Sequence, residues 1–147
     1  KPPPNRFNPT KYTGLERWFS YLNLGWYDSS DQFQLNPYER VFRALPKIFG
    51  NKEKLDGDIF MSQVALSCPE LDGGEIFMKA NKYINYVVKD KQCTLGLSHA
   101  LVELHENGVI KLDCPVDSHG WNIGLSQPSR DETVKSDRIT LIEYLRK

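Results

Sequence analysis

Between residues 94 and 107 the apolar positions Leu97, Ala100, Leu101 and Leu104 recur three and four residues apart, the spacing that gathers side chains on one side of an α-helix. Ser98, His99, Glu103 and Glu106 fall elsewhere on its surface. Asn107-Gly108 ends the pattern, because glycine enters the left-handed conformation of a helix C-terminus at little steric cost. Val109-Ile110-Lys111-Leu112 and Trp121-Asn122-Ile123 then read as two short strands, rich in β-branched and aromatic residues. The turn-prone stretch 115–120 separates them. The pattern therefore predicts a helix, a glycine stop and a β-ribbon in unbroken order.

A weaker version of this order lies near the start. Leu15, Trp18, Phe19 and Leu22 have helical spacing and are followed by Gly25, by Trp26-Tyr27, by a turn at residues 28–31 and by Phe33-Gln34-Leu35. Placing Gly25 on Gly108 gives an offset of 83 residues, the difference between 108 and 25. That is a domain-sized repeat, not a solenoid unit. Between the two stretches, Asn36-Pro37 predicts a helix start, with asparagine as cap and proline at the first helical position. Tyr38, Val41, Phe42, Leu45, Ile48 and Phe49 form its apolar stripe, and Pro46 predicts a kink or an end near Leu45. Asp58-Ile59-Phe60 reads as a small strand and residues 61–66 as a two-turn helix ending before Cys68-Pro69. Residues 75–89 form a longer helical pattern, with Ile76, Phe77, Ala80, Tyr83, Ile84 and Val87 on one side and Lys79, Lys82 and Lys89 on the other. Residues 126–137 are polar and turn-rich, an extended connection. Residues 138–147 predict a terminal helix through Ile139, Ile142 and Leu145, although the alternation around Ile139 and Leu141 also permits a strand.

The order of helix, glycine, strand, tip and strand, together with the text LSHALVELHENGVIKL, resembles the third helix and wing of a winged-helix (winged helix-turn-helix) domain. The resemblance implies a mainly α fold with small β-hairpins, of the α+β class. It implies a proline-rich leader at 1–12, a partial unit at 13–35 holding only a last helix and wing, and a complete domain at 36–125. A polar connection and terminal helix follow at 126–147. The chain departs from a minimal winged helix by carrying three helical segments, not two, between the small strand and the wing.

Composition narrows the class. The 147 residues are 39% hydrophobic and 26% charged, a soluble globular profile with no apolar run of membrane-spanning length. The chain opens at Lys1 without a methionine or a signal segment, so the expectation is a piece of a longer, cytoplasmic protein. Its three cysteines, Cys68, Cys93 and Cys114, are an odd number without close pairing, which suits reduced thiols. Cys114 and His119 supply only two of the four ligands of a structural zinc site, so no metal or cofactor is expected. Nineteen Lys plus Arg balance nineteen Asp plus Glu, whereas a domain that grips nucleic acid usually carries excess cations. The lysines gather at 79–91 and the acids at 113–137.

No nucleophile stands beside a base on one face, and Gly73-Gly74 lacks the lysine and hydroxyl of a phosphate loop; the expectation is not an enzyme. The winged-helix resemblance implies double-stranded DNA as the partner. Residues 94–107 would enter the major groove, with Gln92, Thr94, Ser98 and His99 at its start as base or phosphate contacts. The segment 109–123, through Lys111 and His119, would lie on the backbone. Lys89, Lys91 and Arg17 would add phosphate affinity. Against this stand Glu103, Glu106, Asp113 and Asp117, which repel phosphates. The alternative is a protein-contact or dimerisation module, in a homodimer or a larger assembly, for which the aromatic-rich 13–35 segment is suited.

Overall fold

The structure is a computed structural model that describes residues 9–22, 24–28, 30–84, 89–113, 119–123 and 138–145. The leader up to residue 8, the Val87 end of the 75–89 pattern, the Cys114–Ser118 stretch and the 126–137 connection lie outside the described residues. The chain divides into two compact units, Lys1–Asn36 and Pro37–Lys147.

The first unit holds helix α1 (Pro9–Tyr21) and the antiparallel hairpin of β1 (Gly25–Tyr27) and β2 (Phe33–Leu35). The helix begins inside the expected leader, since proline is well placed in a first helical turn. Asp28 builds the hairpin turn. Its Oδ1 accepts from the backbone N–H groups of Ser30 and Gln32, and its Oδ2 from Gln34 Nε2 at 2.8 Å. The two glycines aligned in the sequence do different work. Gly108 takes a left-handed φ of 64°, whereas Gly25 makes room, because a Cβ there would meet the Phe33 ring at 2.3 Å.

The second unit runs α2 (Tyr38–Phe49), β3 (Lys54–Asp56), α3 (Gly57–Ser67), α4 (Glu75–Ile84), β4 (Gln92–Cys93), α5 (Leu95–Glu106), β5 (Ile110–Asp113), β6 (Trp121–Ile123), β7 (Arg138–Ile139) and β8 (Leu141–Tyr144). The described residues thus form an α+β fold with five helices and small, mostly antiparallel sheets. Pro37 itself occupies the cap position of α2, and the helix continues through exposed Pro46 to Phe49. The expected strand at 58–60 is helical instead. Asp56 caps α3, its Oδ1 accepting from Asp58 N at 2.9 Å, and Phe60, Met61 and Val64 enter the core at helical spacing. The strand lies just before it, with Leu55 pointing inward.

The largest departure concerns strand pairing. The expected ribbon between 109–112 and 121–123 does not form. β5 pairs antiparallel with β8, Leu112 opposite Ile142, and β8 pairs on its other edge with β3, Ile142 opposite Leu55. The terminal segment expected as a helix is therefore the central strand of a β3-β8-β5 sheet. β6 belongs to a second sheet, parallel to β4 and antiparallel to β7. At Gly120 the β6 and β7 backbones approach so closely that a Cβ would stand 2.1 Å from the Ile139 carbonyl oxygen.

One core joins these elements. Val41, Leu45 and Ile48 of α2 meet Phe60 and Val64 of α3, Leu97, Leu101 and Leu104 of α5, and Ile110, Ile123, Ile139 and Ile142 of the sheets. Each such side chain contributes roughly 1.5–3 kcal/mol on leaving water. Helix α4 departs from its expected orientation. Ile76, Ala80 and Tyr83 are exposed, Tyr83 at 89%, while Asn81 is buried with no hydrogen-bond partner for its Nδ2 among the described residues.

If β8 is the central strand, Ile142→Ala should destabilise the second unit by roughly 2–5 kcal/mol, as large-to-small core changes do. Tyr83→Ala should stay within about 0.5 kcal/mol. Urea unfolding of both variants measures this, and equal small effects would contradict the pairing.

Candidate functional site

The start of α5, where most of the candidate residues lie, is built around a buried carboxylate. Thr94 caps the helix, its Oγ1 accepting from Leu97 N at 3.4 Å. The same hydroxyl donates to Asp72 Oδ1 at 2.7 Å, and Thr94 N donates to Asp72 Oδ2 at 2.6 Å. Asp72 is only 7% exposed. Burial holds its pKa above the ordinary carboxylate value, an effect the Thr94 bonds only partly offset. Thr94 is thus engaged with Asp72 and half-buried. Ser98 donates to the Thr94 carbonyl at 2.7 Å and is fully buried at 0% exposure. It is a packing hydroxyl and is not presented to a groove, because bonding back to the fourth preceding carbonyl lets a small polar residue sit inside.

His99 is half-buried, and burial holds its pKa below the ordinary 6.5 despite Glu103 and Glu106. Its imidazole is accordingly neutral at pH 7. Along the rest of α5 Glu106 is exposed and Glu103 and His105 are half-buried. The helix therefore carries two carboxylates and no lysine or arginine on its accessible side.

Lys91 and His119, expected as a phosphate contact and a wing contact, share one cleft of about 80 Å³ lined also by Asp56, Asp58, Trp121 and Thr140. Lys91, at a left-handed φ of 47°, donates from Nζ to Asp58 Oδ2 at 2.8 Å. Trp121 Nε1 donates to Asp58 Oδ1, also at 2.8 Å. The Lys91 carbonyl accepts from Asn122 N, and the Thr140 carbonyl from Gly57 N. Asp58 therefore joins the start of α3, the strand β6 and the lead into β4. The Lys91 and Trp121 bonds hold its carboxyl below the usual 3.8, and Asp58 in turn raises Lys91. With two aspartates against one lysine, the cleft offers no excess of positive charge.

The other candidates disperse. Gln92 is half-buried in β4, opposite Asn122. Lys89 is exposed ahead of β4. Lys111 is exposed on β5 opposite Glu143, which also accepts Lys54 at 3.1 Å. Arg17 belongs to the first unit, where it lines an open apolar hollow of about 340 Å³ with Trp18 and Tyr21. Sequence reasoning missed Asp58 and Asp72, whose signal was an Asp-x-Asp helix start and an aspartate before Gly-Gly. Among the described residues no three His, Cys, Asp or Glu side chains converge on a metal position, and no helix is long and apolar enough to cross a membrane.

Asp58 provides a pH signature. Its folded pKa lies below its ordinary 3.8, so its contribution to stability is complete above that value and disappears as pH falls through the folded pKa. Asp58→Asn should unfold at lower urea than the wild type at pH 7, with the two midpoints converging below pH 3.8. A gap independent of pH would show that the charge is not what joins the three segments.

A family model described as DpdG-like matches residues 2–118, and the chain belongs to this family. No curated protein and no solved structure matches the chain.

Proposed function

From membership of the DpdG-like family as premise, we propose that the second unit is a winged-helix domain used as a protein-contact module of a larger assembly. The fold part of this reading is supported by the sheet order β3-β8-β5, with β3 before α3 and β5 directly after α5. In winged helices the small first strand pairs with the strand returning from the wing. In this reading α2, α3 and α5 are the three family helices, α4 is an insertion, and β6 and β7 belong to the wing.

The observation that carries the protein-contact role is that α5 has two carboxylates and no lysine or arginine on its accessible side. Affinity for a duplex comes largely from cations that displace counterions from phosphates. Here Glu106 is exposed and Glu103 half-buried, His99 is neutral at pH 7, Ser98 is inside and Thr94 is bonded to Asp72. A helix so arranged is repelled by the groove it would have to enter. Of the other expected DNA contacts, Lys89, Lys111 and His119 lie on separate segments and Arg17 lies on the other unit. Exposed apolar rows, by contrast, are what protein partners cover.

Fluorescence anisotropy with a labelled duplex across a salt series tests the choice. The expected result is no salt-dependent binding at low ionic strength, and no effect of Lys89→Ala or Lys111→Ala. Tight binding that weakens steeply as salt rises, and weakens again with either variant, would overturn the protein-contact reading in favour of a DNA reader.

A further inference from the structure

We draw no further inference here: the strongest candidate, the exposed apolar row of Ile76, Ala80 and Tyr83 on α4, carries nothing because nothing in the structure shows what covers it.

Discussion

Strand β8 is bonded along both of its edges, and the larger unit is organised by that fact. Its centre, Ile142, lies between Leu55 of β3 and Leu112 of β5, and all three are buried. Around it Thr140 N donates to the Asp113 carbonyl, Tyr144 N to that of Glu53 and Leu145 N to that of Val109. Without β8, two strands of three and four residues would be left as unpaired edges, too short to form a sheet of their own. The three-stranded sheet in turn closes the core under α2, α3 and α5.

Two aspartates join the remaining parts, and their environments set them apart. Asp58 is a surface carboxylate stabilised in its charged form by Lys91 and Trp121. Asp72 is buried, so desolvation opposes its charge while Thr94 supports it. The first ties β6 and the lead into β4 to α3, and the second fixes where α5 begins. Both draw candidate nucleic-acid contacts into structural bonds. Among the described residues, Glu106 of α5 and Ile76 and Tyr83 of α4 remain exposed.

Much of this fold could be read from periodicity. The α5 stripe, its end at Gly108 and the α1-hairpin order follow from local spacing, and so does the presence of three helices between β3 and β5. The strand partners could not be read that way. Antiparallel hairpins are usually joined by short turns, so local spacing pairs Val109–Leu112 with Trp121–Ile123, whereas the partner in the fold is the more distant β8. Residues 138–145 carry both helical and alternating spacing, and only pairing with two strands decides between them. Ser98 and α4 were hidden for a related reason. A buried hydroxyl has no hydrophobic signature, and an apolar stripe does not reveal whether the protein's own core or another molecule covers it.

The central claim is that the C-terminal segment closes the sheet between β3 and β5, and native-state hydrogen exchange tests it most directly. The amide protons of Thr140, Tyr144 and Leu145 should exchange as slowly, to within an order of magnitude, as those of Leu101 and Leu104 in α5, since all open only with the whole unit. Exchange of those three amides at the rate of an unstructured peptide, with α5 still protected, would contradict it.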